Sequence, residues 1–121
     1  MDLQKSRSYR DLRVWKEAID FVRDVYLITV KFPGREIYGL ANQIRRAAVS
    51  IPANIAEGQG RHSAREFRQF LGIALGSISE LETHLIISEK IEYPSQDELD
   101  PLLIKLDDFR KMIKSLSNKL K

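Results

Sequence analysis

Near the C-terminus the residues Leu99, Leu102, Leu106, Phe109, Ile113, Leu116 and Leu120 recur in steps of three and four. A heptad stripe of this kind fits only a helix, and it forms the seam expected of left-handed antiparallel packing. Such a seam needs partner helices, and three more segments supply them. From Leu12 to Phe32 two adjacent apolar stripes run side by side: Trp15, Ile19, Val22 and Tyr26, and beside them Val14, Ala18, Phe21, Val25, Ile28 and Phe32. Both have helical spacing, and Ser8 followed by Asp11 resembles a capping box at the start. Pro33 and Gly34 then stop the helix.

A second helix is expected from Glu36 or Leu40 to Glu57, on Ile37, Ala41, Ile44, Ala48, Ile51 and Ile55, with Gly58 and Gly60 closing it. Ser63 with Glu66, and Ser95 with Glu98, form capping boxes that start the third helix, reaching about Lys90, and the fourth. The connections are short, which favours antiparallel neighbours. The expected fold is all-α: an up-down-up-down antiparallel four-helix bundle spanning residues 11–121, preceded by a flexible basic arm over residues 1–10. Pro52 falls inside the second helix, where the missing N–H and a ring clash cost about 3 kcal/mol. A bend or restart near Ser50 is therefore expected. Small residues crowd that point, and Gly72 and Gly76, one turn apart in "GIALGS", read as a face for close backbone approach.

The stretches "RDLRVWKEA", "FPGREIYGLANQIRRAAVSIPANIAEGQGR" and "FLGIALGSISELETHL" resemble the four-helix-bundle proteins encoded by 23S rRNA intervening sequences, over nearly the whole chain. Ala41 stands where that family's pattern carries Thr or Ser. The resemblance implies a homopentamer. It also implies a relationship to the accessory proteins of diversity-generating retroelements, barrel-shaped pentamers thought to bind nucleic acid and a reverse transcriptase. It supplies no biochemical activity.

With 20 basic and 17 acidic residues the net charge is +3, but antiparallel topology sorts the charges. One end gathers Lys5, Arg7, Arg10, Arg13, Arg61, Arg65, Arg68, Arg110, Lys111, Lys114, Lys119 and Lys121. The other collects Glu36, Glu89, Glu92, Asp97, Glu98 and Asp100. Cations at the end of helix four complement its dipole, whereas Arg61, Arg65 and Arg68 stand where a helix N-terminus already favours anions, a plausible phosphate site. Pairing with Glu57 or Glu66, or with a neighbouring subunit, is the alternative. Arg45 and Arg46 lie about 100° apart on one helix, so one can bridge subunits or meet nucleic acid while the other turns away.

Nothing in the pattern supports catalysis. There is no cysteine, and the two histidines, His62 and His84, lack metal-site spacing. Glu82 faces away from Glu80 and His84, and His84 reads as a solvated surface histidine. The chain is expected to be a non-enzyme without cofactor or metal. With no apolar run near the ~20 residues that span a bilayer and no signal-peptide pattern, it is expected to be cytoplasmic, without a membrane partner. Two functions follow. One is an oligomer binding RNA or DNA electrostatically through Arg61, Arg65, Arg68, Arg45, Arg46, Lys111 and Lys114. The other is a self-assembling scaffold that holds a protein partner. Either would assemble through Trp15, Phe21 and Val25 on helix one and Gly72 and Gly76 on helix three.

Overall fold

A computed structural model describes residues 8–121 of the chain; Lys5 and Arg7 of the basic end, and most of the expected N-terminal arm, lie outside the described residues. Four helices follow one another: α1 (Arg13–Thr29), α2 (Leu40–Gln59), α3 (Ala64–Lys90) and α4 (Gln96–Lys119). No strand occurs among the described residues. The chain is a four-helix bundle.

The caps explain where the helices begin. Ser63 Oγ accepts the Glu66 N–H at 3.1 Å, and Ser95 and Glu98 form the complete reciprocal box at the start of α4. Ser8 behaves differently. Its hydroxyl accepts the Arg10 N–H and caps a short 3-10 helix, Tyr9–Asp11, so α1 starts two residues past Asp11 with no side-chain cap. That helix also ends at Thr29 rather than Phe32. The N–H groups of Lys31 and Phe32 reach back only three residues, to Ile28 and Thr29, the tightening typical of a last turn forced to stop before proline.

For α2 the structure chooses Leu40 over Glu36. Glu36 closes a separate 3-10 helix, Gly34–Glu36, and its carboxylate accepts the Leu40 N–H at 3.1 Å, capping α2 from outside. The expected restart at Pro52 does not occur: α2 is helical from Leu40 through Gln59 with Pro52 inside it. Proline removes one backbone donor, while side chains add local bonds around the same turn, Asn54 Nδ2 to Ser50 O at 2.7 Å and Ser50 Oγ to Ala47 O at 2.9 Å. Pro52 is buried with Ile51 and Ile55, so packing offsets the lost bond.

Contacts between helices run in opposite sequence directions. Ser50 meets Ser77 while Gly58 abuts Phe67 and Phe70. Arg110 meets Glu82 while Arg68 meets Leu120. On the α1–α4 side, Lys105 bonds Glu17 and Lys31 bonds Glu98. The heptad stripe of α4 is buried throughout, together with Val14, Ala18, Phe21 and Val25 of α1 and the row Leu71, Ala74, Ile78, Leu81, Leu85 of α3. By length and composition α3 is long and apolar enough to cross a membrane; in this fold that row forms the bundle core.

The close approach of α2 and α3 uses a glycine other than the expected pair. A Cβ on Gly58 would lie 2.6 Å from Phe70 Cβ and 3.0 Å from Phe67 Cδ1. At Gly72 and Gly76 nothing lies within 4 Å of an added Cβ. Within one chain, then, Gly72 and Gly76 face open space, while Ala74 between them is buried.

Candidate nucleic-acid interface

The α2–α3 turn sits against the end of α4. Gln59, Arg61, His62, Ser63, Phe67 and Leu120 line a cavity of about 460 Å³ there. The start of α1 joins the same end, where Leu12, Arg13 and Val14 form a groove with Lys111, Met112 and Lys119 of α4. Of the basic residues sorted by sequence, Arg61 lines the first of these sites and Arg13, Lys111 and Lys119 the second.

They are not equivalent. Arg61 is bonded to Glu57 at 2.7 Å and lies 4.8 Å over the Phe70 ring. Arg68 is half-buried and donates from Nη1 to the Leu120 carbonyl at 3.0 Å, tying α3 to the C-terminal end of α4, where a cation complements the exposed carbonyls. Arg13 bonds Glu17 at 2.5 Å, and Arg110 pairs with Asp107 and Glu82. Arg65, Lys111, Lys114, Lys119 and Lys121 are exposed and have no partner among the described residues. These five are the cations of the basic end left without a partner among the described residues.

The adjacent arginines of α2 divide as their angular separation requires. Arg45 turns to α1, donating to Thr29 Oγ1 at 2.8 Å and stacking 4.6 Å over Tyr26. It is a strut between helices and does not face an external partner. Arg46 is exposed, without a partner among the described residues, and lines a groove of about 570 Å³ with Gln43, Ser50, Ser77, Glu80 and His84.

That groove corrects the reading of His84. Its side chain is only 18% exposed, with Nε2 3.8 Å from Glu80 Oε2, and its Nδ1 is buried without a hydrogen-bond partner. The helix phase, three residues after the buried Leu81 and one before the buried Leu85, tucks it against α2. Glu82 does turn the other way, to Arg110 on α4. Among the described residues no group of three His, Asp or Glu could hold a metal ion.

Of the residues expected at an assembly interface, Phe21 and Val25 are spent in the chain's own core, Phe21 edge-on to Phe109 at 5.2 Å. A copy of the chain cannot reach them. Trp15 is half-buried against Tyr9, and Gly72 and Gly76 are open. One step round α1, in the second stripe read from the sequence, Ile19 and Tyr26 are each 43% exposed, and Val49 of α2 is 42% exposed. Sequence reading joins that stripe with the first as one wide face.

The family model for 23S rRNA-intervening sequence protein matches residues 10–115. The chain belongs to that family. Among solved structures it is similar to a protein of unknown function from the S23 ribosomal protein family of Bacteroides thetaiotaomicron, at 26% sequence identity and a TM-score of 0.77, over 86% of this chain and 97% of that one. No curated protein matches. Neither the family description nor that neighbour's name carries a catalytic activity.

Proposed function

We propose that this 23S rRNA-intervening sequence protein is a non-enzymatic, self-assembling bundle that binds RNA or DNA electrostatically through its basic end. The observation that carries the reading is the set of exposed cations without partners, Arg65, Lys111, Lys114, Lys119 and Lys121, around the junction of α1, α3 and α4. Free cations of this kind recognise phosphate by charge and release counterions on binding. Among the described residues no stack of exposed aromatic rings accompanies them at that end, so the binding reads backbone charge and not base sequence.

The test is a titration of unspecific duplex DNA and of single-stranded RNA at two salt concentrations. The parent protein binds both, more weakly at the higher salt. Replacing Arg65, Lys111 and Lys114 together by alanine weakens binding alike for every sequence and lowers the salt slope by about 0.9 for each lost phosphate contact on B-DNA. Arg68 is excluded from that set because it holds α4. Absence of binding by the parent at low salt would replace this reading with the scaffold reading, which the exposed apolar residues of α1, α2 and α3 favour.

A further inference from the structure

Along the outer seam between α1 and α4 the bundle leaves two hollows in line. At the basic end Leu12, Met112 and Leu116 line one of about 390 Å³ between Arg13, Lys111 and Lys119. Nearer the acidic end Phe21, Pro101 and Leu102 line another of about 210 Å³ beside Asp20 and Asp24. The Glu17 carboxylate lies between the two, held by both Arg13 and Lys105, so the middle of the seam is neutralised. Lys111, Lys119, Asp20 and Asp24 are exposed, and none has a side-chain partner among the described residues. Apolar surface continues beside the second hollow. Leu27 follows Asp20 and Asp24 on one side of α1 and is 57% exposed, and Ile104, three residues on from Pro101, is 64% exposed. Apolar residues gathered along one seam and rimmed by charge mark a contact surface.

We propose that this seam seats one amphipathic helix of another protein, with carboxylates over Lys111 and Lys119 and with lysines or arginines over Asp20 and Asp24. Length, charge and shape select that occupant. From Pro101 to Lys119 α4 rises about 27 Å, so a helix of about 18 residues covers both hollows, with apolar residues three and four apart meeting the floor. The oppositely charged rims reject an all-acidic or an all-basic segment, since either meets like charge at one hollow. Laid against its own copy about a two-fold axis, the seam would match charge but set hollow against hollow and leave a void. A single helix is convex and fills it. A helix acidic in its first turns and basic in its last also complements its own dipole, which orients the partner parallel to α1.

The inference goes beyond nucleic-acid binding but shares Lys111 and Lys119 with it, so the test separates the two. Fluorescence anisotropy on the full chain compares three labelled helical peptides of that length with one leucine stripe in common. The bipolar peptide, glutamate in its first half and lysine in its second, binds about tenfold more tightly than the all-glutamate or the all-lysine peptide. Asp20→Lys with Asp24→Lys transfers the preference to the all-glutamate peptide, and Lys111→Glu with Lys119→Glu transfers it to the all-lysine peptide. A folding defect produces neither switch. Ser115→Trp, in the first hollow, abolishes peptide binding and leaves a duplex-DNA titration unchanged. A parent that takes the bipolar peptide but no nucleic acid supports the seam and removes the nucleic-acid reading alone. Equal binding of the three peptides, or a preference that neither reversal moves, overturns the proposal. If Ser115→Trp weakens DNA binding, the seam belongs to nucleic acid; if it lowers the mass seen by light scattering, a second copy is the occupant. Either result also overturns it.

Discussion

The two ends of the bundle carry opposite charge, and different residues at each are held by contacts within the chain. At the acidic end two carboxylates are spent locally: Glu36 accepts from the Tyr93 hydroxyl at 2.6 Å and from the Leu40 N–H, and Glu98 takes Lys31 at 2.9 Å while closing its own capping box; Glu89, Glu92, Asp97 and Asp100 have no side-chain partner among the described residues. At the basic end Glu57 pairs with Arg61, Asp107 with Arg110, and Glu17 with Arg13 and Lys105, while the carboxylates of Asp11 and Glu66 have no partner among the described residues. The remaining lysines and Arg65 are left over. Each end spends part of its charge inside the chain and offers the rest to solvent, negative at one end and positive at the other. A net value of +3 conceals this.

The largest effect that could break the comparison is charge reversal at the basic end. Arg65→Glu with Lys111→Glu and Lys114→Glu abolishes nucleic-acid binding in a filter or fluorescence assay and leaves the thermal midpoint within the small range of surface substitutions, about 0.5 kcal/mol each. A large fall in stability would mean that these cations are structural after all.

Arg68 is the exception that sharpens it. Although it stands among the basic residues, its bond to the Leu120 carbonyl spends it inside the chain, so Arg68→Ala costs about 1 kcal/mol in urea denaturation and leaves the salt slope of binding unchanged.

Acid should act near both ends, because Lys105 and then Arg13 hold the Glu17 carboxyl below its ordinary value as well. The Tyr93 hydroxyl, then the Leu40 N–H, hold the Glu36 carboxyl below its ordinary value, and Lys31 does the same for Glu98. A carboxyl lowered in the folded state contributes stability that is present above the ordinary glutamate value of 4.5 and is lost as pH falls through the lower, folded value. Stability followed by circular dichroism therefore declines below about pH 5, and the decline is shallower in Glu36→Gln with Glu98→Gln.

The smallest effect concerns the α3–α4 turn. Glu92 sits at φ 64°, and the bonds Tyr93 N–H to Ser88 O and Glu92 N–H to Glu89 O make this a Schellman cap, where glycine is the usual occupant. Glu92→Gly is expected to gain up to about 1 kcal/mol. A loss on that substitution would point to a role for the Glu92 carboxylate at the acidic end.

Periodicity and caps were enough to determine four helices, the start of α3 and α4 within a residue, and the buried stripe of α4, because these follow from local chain geometry and from the need to bury a repeating apolar row. Topology then sorted charge to two ends without any coordinates. Other features were not legible, since they depend on what a residue meets across the bundle. Ser8 was read as the cap of α1, yet the chain spends it on a 3-10 turn. Pro52 was read as a bend or a restart, and the helix does not restart there: α2 continues through a buried Pro52. Phe21 and Val25 were read as interface, but α4 supplies Phe109 and uses them as core. The close-packed glycine is Gly58, decided by where Phe67 and Phe70 of α3 fall. A sequence states which residues share a helix face; only the tertiary structure decides whether a neighbouring helix already covers that face, and this separates Arg68 from Arg65, and Gly58 from Gly76.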